Sequence, residues 1–143
     1  MENKKKVLIV EIVEDEATLS NALSDKFSHE HFEVLKAKNG EEGLSIALRE
    51  RPDIILLDII MPVMDGITML HKLREDEWGK KAHVVVLTNV SDMSGIATAI
   101  ENGAFEYYVK SDTQIEDIVA SVKRTLKVLR VFEGIHGSFG ALE

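Results

Sequence analysis

The sequence predicts an α/β domain with a parallel sheet covered by helices on both faces. Short β-branched runs alternate with segments of helical periodicity, five times along the chain. One run, DIILLD at 53–58, is apolar without alternation, as a strand buried on both sides requires. The 143 residues contain no cysteine, so the fold rests on one core of ordinary domain size rather than on disulfides.

The first strand is read from VLIVEIV, followed by a helix whose Leu19, Leu23 and Phe27 repeat every four residues and form one stripe. FEVLKA is the second strand, and after Asn39-Gly40 a helix turns Leu44, Ala47 and Leu48 inward. DIILLD is the third and central strand, with Pro52 at its start, where no ladder donor is lost. Ile67, Leu70, Leu73 and Arg74 mark a third helix, EWGKKA reads as a loop, and HVVVLT is the fourth strand. The next helix has Ser91 as its N-cap candidate and Gly103 at its end, and Gly95 weakens its interior. FEYYVK closes the sheet. Ile115, Ile118, Val119, Val122, Leu126 and Leu129 give the last helix a long stripe.

Charge and hydropathy narrow the function classes. Against 17 basic residues stand 25 acidic ones, a net charge of −8, which disfavours direct nucleic-acid binding by this chain. No apolar stretch approaches the ~20 residues of a membrane span, and the basic start MENKKK does not lead into a signal core. A soluble, cytoplasmic protein is expected.

Polar residues collect where the strands end. In open parallel sheets ligands bind beyond the carboxyl ends of the strands. There the first strand delivers Glu14 and Asp15, the third Asp58, the fourth Thr88 and the fifth Lys110. Taken singly, each has a plain structural reading: acids start helices, aspartates make turns, and lysines are solvated. Together, the three carboxylates repel by about 4 kcal/mol per close pair at an effective dielectric near 20, so the set calls for a cation. Oxygen donors without His or Cys favour Mg²⁺. Asp58 is then placed to attack a phosphoryl group as an ionised nucleophile, with Lys110 and Thr88 clamping the phosphoryl oxygens.

These residues resemble the receiver domain of two-component response regulators. The resemblance covers roughly residues 5–130. It rests on Glu14 and Asp15, the segment DIIMPVMDG, Thr88 thirty positions after Asp58, and Lys110 fifty-two after it. It implies a flavodoxin-like (βα)5 three-layer sandwich, with a five-stranded parallel sheet in the order 2-1-3-4-5. It also implies a receiver at 1–130 followed by a tail or linker at 131–143. It implies that Asp58 accepts a phosphoryl group from a histidine kinase or phosphotransfer protein. Mg²⁺ would be held by Asp15, Asp58, the carbonyl of Ile60 and, through water, Glu14. It further implies that Thr88 shifts toward the phosphate and Tyr107 turns inward, altering the face made by the fourth helix, fifth strand and fifth helix. That face is also where a homodimer would form. Such a chain regulates; it assists only its own phosphorylation and dephosphorylation and is not an enzyme.

Two departures stand out. Receivers usually follow the lysine with a cis proline, but here Ser111 follows. The expectation is that a cis Lys110–Ser111 peptide is kept despite a cost of about 2.5–4 kcal/mol. Glu11 lies inside an apolar strand; a register making it the site acid is rejected because the Leu19 stripe requires Glu14 and Asp15 to end the strand. These departures leave a phosphorylation-independent interaction module as the alternative. The resemblance also implies that the residues two past the aspartate and two past the threonine tune the lifetime of the acyl phosphate; here these are the apolar Ile60 and Val90, which predicts slow hydrolysis. A phosphatase of the haloacid dehalogenase type would need a second aspartate at the position of Ile60, and no phosphate-binding glycine loop follows the first strand. The stripe continues past Leu126 to Leu129, consistent with a dimer seam, a linker or a frayed end.

Overall fold

A computed structural model describes residues 7–89 and 94–139, with side chains described as far as residue 131. Five parallel strands are β1 (Ile9–Val13), β2 (Glu33–Ala37), β3 (Ile54–Asp58), β4 (Val84–Thr88) and β5 (Glu106–Val109). They lie in the order β2-β1-β3-β4-β5. The helices are α1 (Ala17–His29), α2 (Gly40–Glu50), α3 (Gly66–Leu73), α4 (Ser94–Glu101) and α5 (Ile115–Phe139). This is the doubly wound architecture the sequence predicts.

Alternation along the strands divides the interior into two cores. Val10, Ile12, Ile54, Leu56, Val85 and Leu87 pack with Leu23 and Phe27 of α1 and Ile118, Val119, Val122 and Leu126 of α5. Val13, Ile55, Leu57, Val84 and Val86 face the other way, against Ala47 of α2, Met69, Leu70 and Leu73 of α3, and Ala99 of α4. Every residue of β3 and β4 is buried, which explains their unbroken apolar sequences. Each fully buried Leu or Ile contributes about 1.5–3 kcal/mol, so these two strands anchor the sheet.

Local chemistry sets the helix starts. Asn39 accepts a hydrogen bond from the Glu42 N–H at 2.9 Å to cap α2, and Asp65 accepts one from Thr68 at 2.8 Å to cap α3. The segment 79–81 forms a 3₁₀ turn where a loop was expected. Leu48 faces outward rather than inward, because Gly43, Leu44, Ile46 and Ala47 occupy the inner arc of α2. Arg74 caps the end of α3 instead of joining its apolar stripe. Gly95 sits in the first turn of α4, where a glycine costs less than in a helix interior. Ser91 and Val90 lie outside the described residues. The helix α5 runs on through residue 131 without a break after 130, and Leu129 is half-buried.

The Lys110–Ser111 peptide is not cis; among the described residues there are no cis bonds. Lys110 begins a 3₁₀ turn, Lys110–Asp112, which delivers its side chain to the site with a trans backbone. Nothing offsets the cost of a cis bond before serine, so the trans form stands.

Glu11 is fully buried in mid-strand between Leu35 of β2 and Ile55 of β3, and neither carboxyl oxygen has a hydrogen-bond partner. Burial pushes its pKa from the ordinary 4.5 up to about 9, against a weaker pull from Arg49. The folded chain therefore holds a proton that the unfolded chain releases. The associated stability is fully present below about pH 4.5 and is lost as the pH rises toward about 9. Glu11→Met, which removes the titrating group at similar volume, is expected to raise unfolding free energy by about 3 kcal/mol at pH 8 and by much less at pH 5. Urea unfolding of both proteins at the two pH values checks this, and equal differences at both would contradict it.

Candidate functional site

The ends of β1, β3 and β5 meet on one rim. Asp58, the last residue of β3, is buried, and so is Glu14 just beyond β1; Asp15 is exposed beside them. One carboxylate oxygen from each of Glu14, Asp15 and Asp58 lies within 4.8 Å of the others. Lys110 Nζ reaches over from the far side, 3.0 Å from Asp58 Oδ2 as a hydrogen-bond donor and 2.8 Å from Glu14 Oε1 as a close charge contact. The other oxygen of Glu14 accepts from the Glu16 backbone N–H at 3.0 Å. Asp58 Oδ1 is buried and has no hydrogen-bond partner.

Burial pushes the Asp58 carboxyl up to about 7, reinforced by the negative charge of Glu14 and opposed by Lys110. For Lys110, burial pulls downward but is outweighed by Glu14 and Asp58, so the ammonium is held above its ordinary value. With the three acids ionised, one ammonium leaves two negative charges uncompensated. A hard divalent cation fits that deficit, the all-oxygen donor set and the free Oδ1 of Asp58.

The loop from β3 to α3 is tightly drawn. A Cβ on Gly66 would stand 2.0 Å from the Asp58 carbonyl oxygen, and the Gly66 N–H donates to the Ile59 carbonyl at 2.8 Å. Val63 has φ 67°, and Met64 N–H donates to Pro62 O at 2.7 Å, closing a three-residue γ-turn around a β-branched residue that disfavours it. No sequence signal marks that turn. Ile60 is 57% exposed on the outer rim of the loop.

The remaining sequence-predicted residues are less engaged. Thr88 is buried at the end of β4, and its hydroxyl donates to the Asn89 carbonyl at 3.1 Å. Tyr107 is 41% exposed on β5, whereas its neighbour Tyr108 turns inward to bond Ser121 of α5. The contact of Lys110 with Glu14 is not legible in the sequence, where the lysine pairs only with phosphoryl oxygens. Strand spacing places residues on a rim but does not say which neighbour an ammonium chooses.

The family model for the response regulator receiver domain matches residues 10–123. The chain belongs to this family. The receiver is 36% identical over 123 residues to a probable transcriptional regulator, ycf27, of Porphyridium aerugineum, covering 85% of this chain and 49% of that protein. It is 34% identical over 114 residues to the response regulator PleD of Caulobacter vibrioides, covering 80% of this chain and 24% of PleD. The receiver thus spans about half the length of the first relative and a quarter of the second. Among solved structures, a putative response regulator from Chloroflexus aurantiacus superposes with a TM-score of 0.77 at 29% identity, over 85% of this chain and 99% of that one. The N-terminal domain of a Wolinella succinogenes protein gives 0.78 at 28%, over 89% and 99%.

Because Gly66 abuts the backbone of Asp58, Gly66→Ala is expected to destabilise the receiver by about 1–3 kcal/mol, the usual range for overpacking. Thermal unfolding measures it; a melting temperature unchanged from wild type would show that the loop yields freely.

Proposed function

We propose that this receiver is a phosphoacceptor switch in which Asp58 takes a phosphoryl group from a phosphohistidine of a kinase or phosphotransfer protein. The observation that carries the reading is Asp58 itself: a buried carboxylate with one oxygen on Lys110 and the other unpartnered, beside two further acids. A carboxylate oxygen attacks phosphorus, the P–N bond breaks, and the imidazole leaves with the bonding electron pair. The product is an acyl phosphate on Asp58.

Asp15, Asp58, the Ile60 carbonyl and, through water, Glu14 are proposed to hold Mg²⁺, which when bound would neutralise charge on the phosphoryl oxygens. Lys110 then follows the negative charge from Asp58 to the phosphoryl group, keeping a charge-assisted hydrogen bond throughout. Thr88 exchanges the Asn89 carbonyl for a phosphoryl oxygen, and Tyr107 turns from solvent toward the space vacated. The readout face is α4, β5 and α5, where a second copy would also dock. Among the described residues no helix is long and apolar enough to cross a membrane, and the −8 charge disfavours direct binding of DNA by this chain. Whatever regulation of transcription its longer relatives perform is proposed to reside beyond the matched segment.

Incubation with acetyl phosphate and Mg²⁺ is expected to add the mass of one PO₃ unit to the intact chain. The gain is expected to persist in Glu11→Met and to vanish in Asp58→Ala; a phosphorylated Asp58→Ala protein would overturn the assignment. No mass gain in wild type would favour a phosphorylation-independent interaction module. Ile60 is proposed to offer the phosphoryl group hydrocarbon rather than a water-orienting side chain, so the adduct is expected to decay slowly. A half-life of only seconds after removal of acetyl phosphate would refute that.

A further inference from the structure

Among the described residues, Arg74, the cap of α3, makes an extensive side-chain network outside the phosphoacceptor cluster, and all four of its acceptors are backbone carbonyls. Nε donates to Asn102 at 2.8 Å and Nη2 to Gly103 at 2.9 Å; Nη1 donates to Gly79 at 2.6 Å and Ala82 at 2.8 Å. Asn102 and Gly103 follow the last turn of α4, the negative end of that helix dipole. Gly79 and Ala82 bracket the 3₁₀ turn before β4. A single planar guanidinium thus ties the carboxyl end of α4 to the corner between α3 and β4. Lysine, with its compact ammonium, lacks the fork needed to hold both segments.

Elsewhere α4 is lightly held. It is eight residues long, buries only Ile96 and Ala99, and leaves Ile100 largely in solvent. Its first turn lies against the phosphoacceptor loop: a Cβ on Gly95 would stand 3.4 Å from Ile59, the residue after Asp58. The helix is about 12 Å long at 1.5 Å per residue, so one end abuts the site while the other is fastened. Gly103, at φ +84°, brings the backbone against the clamp; a Cβ there would lie 3.2 Å from both Nε and Nη2 of Arg74.

We propose that Arg74 is a positioning residue that pins the carboxyl end of α4, confining the conformational response of the switch to the first turns of α4 and to β5. This rests on the proposed phosphoacceptor function. It goes beyond that function by assigning a fixed pivot to the moving face, with the arginine and the Asn102 and Gly103 carbonyls as its parts.

Amide hydrogen exchange on the full chain tests it, with and without Mg²⁺ and beryllium fluoride as phosphoryl analogue. In wild type the analogue is expected to change exchange over residues 94–98 and 106–109 and to leave 101–105 unchanged. In Arg74→Lys, residues 101–105 are expected to exchange about tenfold faster without the analogue. The response to the analogue then spreads through them. Gly103→Ala, which leaves the arginine in place, is expected to act in the same direction and guards against a general folding defect in the first variant. The pin is overturned if wild-type residues 101–105 respond as strongly as 94–98, or if both variants keep wild-type protection there. Phosphorylation by acetyl phosphate, read by intact mass, separates the two ideas. A mass gain without a confined pattern removes the pin alone, and no mass gain removes the switch and the pin with it.

Discussion

The Lys110 ammonium between Glu14 and Asp58 is the contact on which the rest of the molecule depends. Two buried carboxylates at this separation repel each other by several kcal/mol, and each has been taken from water. One ammonium offsets part of both costs, which requires β1, β3 and the turn after β5 to end at the same height. Asp58 and Lys110 sit on either side of β4, about two strand spacings of ~4.8 Å apart, so the lysine must stretch over the end of β4. The site is therefore a property of the whole sheet, and the buried β3 and β4 hold its centre rigid.

Glu11 and Glu14 show how position along one strand divides identical chemistry. Glu11 stands between Leu35 and Ile55 with no hydrogen-bond partner, so burial outweighs the pull of Arg49 and it keeps its proton. Three residues on, Glu14 has passed the end of the ladder, meets the Glu16 backbone N–H and Lys110, and becomes part of a charged cluster. The alternation of the strand also turns Glu11 toward α2 and α3. A carboxylate on this strand thus joins the charged cluster only by reaching the rim.

The outer half of the sheet is built differently from the centre. The strand β5 is an edge strand that meets α5 through hydroxyls as well as hydrocarbon: Tyr108 with Ser121, and Glu106 with Thr125. Phe105 and Tyr107 remain partly in solvent, and α4 beside them buries two side chains. Burial of this kind resists displacement less than the Leu, Ile and Val contacts of β3 and β4. Dense packing around Asp58 and sparse packing at the α4-β5 edge suit the proposed switch: one place to hold charge and another to answer it.

The sequence by itself determined the α/β alternation, the five strands, the rim that gathers Glu14, Asp15, Asp58, Thr88 and Lys110, and the family they mark. Periodicity and strand-end position are local, and both can be read along a chain. Tertiary structure alone decided that Lys110–Ser111 stays trans, that Leu48 faces solvent, that Lys110 bridges two acids, and that Arg74 bonds the end of α4. Each of those depends on which atoms meet across segments far apart in the chain, where residue type sets the chemistry available and packing geometry selects the partner.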